Sequence, residues 1–110
     1  MSTQKPLISR VVRVGNLLFL SGMSGGSGDV KTQIKNTFER IKATLEGAGS
    51  SMSNVVKATV YLADLNHRGQ YFNDIWREYF PDNPPARTCV QVVLAPEVYV
   101  EIEVIAKASD

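Results

Sequence analysis

Residues 84–106 read Pro-Pro-Ala-Arg-Thr-Cys-Val-Gln-Val-Val-Leu-Ala-Pro-Glu-Val-Tyr-Val-Glu-Ile-Glu-Val-Ile-Ala. Apolar residues recur at every second position on either side of Ala95-Pro96-Glu97, which is the period of a β-strand. The spacing predicts two adjacent strands joined by a tight turn. On the first, Val90, Val92 and Leu94 share one face, and Arg87, Cys89 and Gln91 share the other. On the second, Val98, Val100, Ile102 and Val104 share a face, with Glu101 and Glu103 opposite. If both apolar sets line one core, the remaining faces bring together an arginine, a thiol and two carboxylates. An arginine in a valine-rich strand points to anion recognition, because its planar fork grips a carboxylate through two parallel bonds. The plainer alternative, favoured by the residues alone, is a cross-strand ion pair of Arg87 with Glu101 or Glu103.

Length and composition narrow the class. A chain of 110 residues suffices for one domain, 1–110, with a real core, and not for two. Hydrophobic content of 44% and charged content of 21% are ordinary for a globular protein. The formal net charge of +1 gives no field that steers the chain to nucleic acid or to a membrane surface. No basic-aromatic stripe argues for nucleic acid either. The single cysteine, Cys89, excludes an internal disulfide and a cysteine-based zinc site. No apolar run approaches the ~20 residues of a membrane span. The N-terminus lacks the apolar centre of a secretory signal, so the expected compartment is the cytosol.

Upstream of the opening stretch, the pattern alternates between the two periods. Residues 9–14 and 16–21 read as a hairpin about Gly15-Asn16. Residues 23–28, with three glycines and two serines, read as a loop. Asp29 is a good N-cap for a helix whose apolar stripe is Val30, Ile34, Phe38, Ile41, Leu45 and Ala48, stopped by Gly47 and Gly49. Residues 54–63 alternate, with Val56, Ala58, Val60 and Leu62 on one face and Lys57, Thr59 and Tyr61 on the other. Phe72, Ile75, Trp76, Tyr79 and Phe80 define a second helix, ended by Pro81. The order is β-β-α-β-α-β-β, an α+β arrangement with both helices on one face of a single mixed sheet. The uncovered face combines Tyr61, Tyr99, Val93 and Ile105 with Arg87, Lys57, Glu101 and Glu103. Such a mixture suits a subunit interface with polar pockets.

Several segments in this order carry a resemblance: Gly15-Asn16 before Ser21-Gly22, Asp29-Val30 with Glu46-Gly47-Ala48-Gly49, Val55 to Leu62 with Asp64-Leu65, and Asn73 ahead of Tyr79-Phe80-Pro81. Pro85-Ala86-Arg87-Thr88-Cys89-Val90 and Val100-Glu101-Ile102-Glu103 complete it. Together they resemble the RidA/YjgF/YER057c/UK114 family, whose studied members are enamine/imine deaminases. The resemblance implies a chorismate-mutase-like fold and a homotrimer, its sheets forming a central barrel with three ligand clefts between subunits. It implies no cofactor or metal, and a small carboxylate-bearing substrate. Arg87 falls where the family holds that carboxylate. Glu101, first of the Glu-Ile-Glu triplet, falls at the general acid/base that delivers water to the imine carbon. Cys89, Ser21, Gly22, Asn73 and Phe72 fall at pocket-lining positions. The implied activity is hydrolysis of 2-aminoacrylate-type enamines and imines to 2-keto acids and ammonia. Two features depart from the deaminase branch: Ile8 stands where a tyrosine is usual, and the 23–28 loop is short. They favour a second reading, a non-catalytic ligand-binding regulatory or chaperone-like trimer. A lone cysteine is more often a small packed residue than a nucleophile, and the only histidine, His67, lies in a loop.

Overall fold

The computed structural model describes residues 4–109; residues 1–3 and 110, the ends of the expected 1–110 domain, lie outside the described residues. The hairpin strands β1 (Val11–Val14) and β2 (Leu17–Leu20) turn about Gly15. Its φ of 59° places a left-handed residue first in a two-residue turn, where glycine costs least. Helix α1 (Val30–Gly47) begins at Asp29, whose carboxylate accepts the Thr32 N–H at 2.8 Å. It ends in paired bonds, Ser50 N–H to the Leu45 carbonyl and Gly49 N–H to that of Glu46, with Gly49 at φ 80°. That closure satisfies carbonyls the last turn leaves open. Strand β3 (Val55–Leu62) follows, then a π-helical turn (Arg68–Phe72) leading into α2 (Asn73–Tyr79), then β4 (Ala86–Gln91) and β5 (Val100–Lys107).

The sheet order is β1-β2-β5-β3-β4, antiparallel except for the parallel β3–β4 pair. Both helices cover one face. Between the layers lie Leu18, Leu20, Ile34, Phe38, Ile41, Leu45, Ala58, Val60, Leu62, Phe72, Ile75, Ile102 and Val104, all buried. The α+β order and the mixed sheet are as the periodicity predicts.

Three local expectations are overturned. The strands of the 84–106 stretch are not neighbours, because β3 lies between them. Residues 92–99 cross over the end of β3, held by bonds from Val92 N–H to the Leu62 carbonyl and from Ala63 N–H to that of Tyr99. Val92, Leu94 and Val98 therefore lie in this connection and not in strands. Second, Arg87, Cys89 and Gln91 do not share a face with the glutamates. Arg87 pairs with Ala58 and Cys89 with Val60, both core residues, whereas Glu101 pairs with Tyr61 on the uncovered side. Val90 then points outward, 37% exposed. The Arg87–glutamate ion pair is excluded by the same registers. Third, a bulge between Val55 and Lys57 turns Val55 inward and leaves Val56 outside.

The uncovered face carries Val12, Phe19, Ile105, Lys57, Thr59, Glu103, Tyr61, Glu101 and Val90, by register. Tyr99 and Val93 sit in the 92–99 connection instead. The expected mixture of apolar and charged groups is present, without Arg87.

One buried polar residue ties the loops to the helix layer. Gln33, 1% exposed, donates from Nε2 to the carbonyls of Gly28 and Glu97 and accepts the Tyr99 N–H on Oε1. Glu97 is held at φ 66°, the left-handed region that side chains other than glycine rarely adopt. Gln33→Leu leaves three backbone groups without this partner. It is expected to lower the free energy of unfolding by about 2–3 kcal/mol, measured as a lower urea midpoint at unchanged slope.

Candidate functional site

Two polar clusters form at separate places on the chain. The first is built on β4. Facing the helices, the half-buried Arg87 lies with its guanidinium carbon 4.9 Å from the centre of the Trp76 ring and 5.7 Å from that of Phe72. At that range the ring faces attract a cation. Its Nη1 donates to Asn73 Oδ1 at 3.0 Å. Phe72 and Trp76 are four residues apart where the π-helical turn becomes α2, so one helix face presents both rings. Among the described residues no carboxylate pairs with Arg87. A cleft of about 580 Å³ opens here, lined by Asn73, Trp76, Phe80, Arg87 and, at its rim, Arg77 and Asp82, among others; Asp82 makes no ion pair with Arg87. Most of the five guanidinium N–H donors remain for a ligand.

Cys89 lies two residues further along the same face, half-buried against the core. Burial pushes its thiol up, and the charges of Arg87 and Arg68 offset that only in part. A protonated thiol is a poor nucleophile. His67 packs on Tyr71 and Tyr99, and no hydrogen bond joins it to Cys89 among the described residues.

The second cluster forms where β2 ends. Met23 exchanges two backbone bonds of 2.9 Å with Ile102, which fixes the end of the hairpin against β5. Gly22 thereby lies against Glu101. A methyl group on its Cα would stand 2.5 Å from Glu101 Oε2, so glycine is what admits the carboxylate. The Ser21 hydroxyl donates to the Ser9 carbonyl at 2.7 Å, which commits its proton within the chain. Glu103, on the same face as Glu101, accepts the Tyr61 hydroxyl. That bond, first among its causes, raises the Tyr61 phenol above its ordinary range. Glu101 has no hydrogen-bond partner among the described residues, so the two glutamates differ in freedom.

The seven residues singled out in the sequence thus fall into two groups. Arg87, Asn73, Phe72 and Cys89 belong to the first; Ser21, Gly22 and Glu101 belong to the second. Because the two groups stand on opposite faces with β3 between their strands, no small ligand touches Arg87 and Glu101 within one chain. Trp76, read from its spacing as core, is the ring nearest the guanidinium; its place one turn from Phe72 beside Asn73 was the available signal. Among the described residues no cluster of side chains has the make-up of a metal site, and no helix is long and apolar enough to cross a membrane.

Comparison with known proteins gives consistent relatives. The family model described as Endoribonuclease L-PSP matches residues 3–108. A RutC family protein of Pyrococcus abyssi is 43% identical over 107 residues, covering 89% of this chain and 84% of its own. A rat protein named 2-iminobutanoate/2-iminopropanoate deaminase is 36% identical over 107 residues, covering 94% of this chain and 77% of its own. Among solved structures, a YjgF family member from Neisseria meningitidis superposes with a TM-score of 0.89 at 33% identity, covering 97% of this chain and 92% of that one. Matched along nearly its whole length in sequence and in fold, the chain belongs to the L-PSP family, the group also called RidA or YjgF/YER057c/UK114.

Proposed function

We propose that this protein is a hydrolytic deaminase of reactive enamine and imine acids of the 2-aminoacrylate type, releasing 2-keto acids and ammonia. It works as a cytosolic homotrimer. Each cleft takes the Arg87 cluster from one subunit and the Ser21–Gly22–Glu101 cluster from the next. The observation that carries the reading is the Arg87 guanidinium, over the Trp76 and Phe72 rings at a cleft, bonded to Asn73 and without a carboxylate partner among the described residues. A charge so held without a carboxylate of its own suits an anionic ligand. The uncovered sheet face supports the assembly, since Val12, Phe19 and Val90 are exposed there beside polar groups. The name of the rat relative supports the chemistry.

The residues suffice for the reaction. Arg87 holds the substrate carboxylate, with Asn73 and the two rings fixing the plane of the fork. Glu101 takes a proton from water as the water oxygen adds to the imine carbon, the C=N electron pair moves to nitrogen, and Glu101 hands that nitrogen the proton. The carbinolamine then passes its hydroxyl proton through the carboxylate to the amino group, the C–N bond breaks as the C=O bond forms, and ammonia leaves with the keto acid behind. An imine carbon is already electrophilic, so positioning and one carboxylate supply what is needed. A second reading, a ligand-binding trimer without turnover, draws on Ile8, an exposed aliphatic residue beside Gly22 that offers no phenolic donor. Endoribonuclease chemistry, the word in the family description, fits less well with a net charge of +1.

Subunit complementation tests the shared cleft. Arg87→Ala and Glu101→Gln chains, each inactive alone, are unfolded together and refolded as mixed trimers. With a cleft drawn from two subunits, random mixing restores about a quarter of the wild-type sites. With both residues acting inside one chain, mixing restores none. The assay is keto-acid release from imines generated in situ.

A further inference from the structure

A second cationic site lies beside Gly22 and is not used by the reaction above. A cleft of about 550 Å³ is lined by Ile8, Arg10, Ser21, Gly22, Met23 and Arg40, among others. Arg10 comes from the segment before β1, and its carbonyl accepts the Ser21 N–H at 3.0 Å. Arg40 comes from α1, and its Nη1 donates to the Ser24 carbonyl at 2.6 Å, which fixes the guanidinium over the 23–28 loop. Among the described residues neither arginine is paired with a carboxylate, and no acidic side chain lines the cleft. Both arginines are exposed, so two like charges from different elements face one cleft, a rim that attracts an anion.

We infer that the Arg10–Arg40 cleft binds a second carboxylate of the ligand, so that the preferred substrate is a dicarboxylic 2-imino acid. The placement of the reacting end rests on the deaminase reading; the binding of a second anion does not. Ser21 and Gly22 are common to the two sites. A ligand whose reacting carbon faces Glu101 at Gly22 extends its side chain past Ile8 to the two guanidiniums, while its first carboxylate sits on Arg87 of the neighbouring subunit. The volume suits a side chain of this kind. A carboxylate fits better than a phosphate monoester, because Glu101, which lies against Gly22, repels a dianion more than a monoanion.

Titration calorimetry on the full chain at low salt tests this with two stable keto acids, 2-oxobutanoate and 2-oxoglutarate. The expected result is that 2-oxoglutarate binds at least about tenfold tighter, and that Arg10→Met with Arg40→Met removes the difference. Arg10 makes no side-chain hydrogen bond among the described residues, so Arg10→Met alone serves if the double variant does not fold; it is expected to narrow the difference. Equal binding of the two acids by the wild type overturns the inference, as does a preference that survives the substitutions. Turnover of the matching imines, generated in situ, separates the two claims. No turnover with the dicarboxylate preference intact removes the deaminase reading and leaves the site. Turnover without any preference does the reverse.

Discussion

Arg87→Ala is expected to abolish ligand binding and to lower kcat/KM by about 10²–10³-fold, the effect of truncating one member of a desolvated, hydrogen-bonded charge pair. The fold is expected to survive. Arg87 forms no ion pair among the described residues, and its protein contacts are one bond to Asn73 and the two rings. A cation over aromatic rings contributes about 0.5–2 kcal/mol, which corresponds to a fall in Tm of several degrees for a domain of this size. Arg87→Lys keeps the charge but loses the fork, so binding is expected to stay weak. Calorimetric titration with a keto acid, run beside thermal unfolding and sedimentation, separates the effects. An Arg87→Ala protein that unfolds or dissociates, yet keeps its activity per folded trimer, would make the arginine structural.

The direction in which Arg87 points marks the limit of what alternation reveals. A period of two states which residues share a face; it does not state which strand lies alongside or which face is covered. Val90 looked like core because it is apolar, and Arg87 looked like surface because it is charged. The sheet order reverses both, since β3 supplies Ala58 and Val60 as partners of Arg87 and Cys89. An arginine tolerates that position because its guanidinium lies over the Trp76 and Phe72 rings, bonds Asn73 and reaches the cleft. Local signals were legible where the cause is local. Asp29 capping α1, the four-and-three spacing of Ile34, Phe38, Ile41 and Leu45, and the turn at Gly15 all depend on near neighbours in the chain. The bulge at Val56 and the crossover of residues 92–99 depend on distant pairing and leave no such trace. The site divides in the same way. Each cluster joins residues far apart in the chain that the resemblance assigns to one pocket. That these residues stand in two groups on opposite faces is visible only in three dimensions.

The division also bears on the choice between the glutamates. Glu101→Gln is expected to lower turnover by about 10²–10⁴-fold, the usual worth of a positioned acid/base group, while a keto-acid product analogue still binds. Glu103→Gln is expected to change turnover little. Residues two apart on a strand are separated by ~6–7 Å, so in the proposed shared cleft only one carboxylate would reach the water beside a substrate anchored on Arg87 of the next subunit. Their surroundings differ accordingly. Glu103 is occupied by the Tyr61 hydroxyl, which leaves its carboxylate fewer free lone pairs for a water. Glu101 lies free against Gly22, at a backbone position where a methyl group would collide with Oε2. Glutamine keeps the shape and one acceptor but not the base, so the loss is read in kcat with binding preserved. The opposite outcome, activity sensitive to Glu103→Gln and indifferent to Glu101→Gln, would move the reacting centre one strand step toward Thr59. The Gly22 contact would then be a matter of packing alone. If neither change affects a demonstrable deaminase activity, no carboxylate of this face carries the proton, and the substrate's own groups must do so.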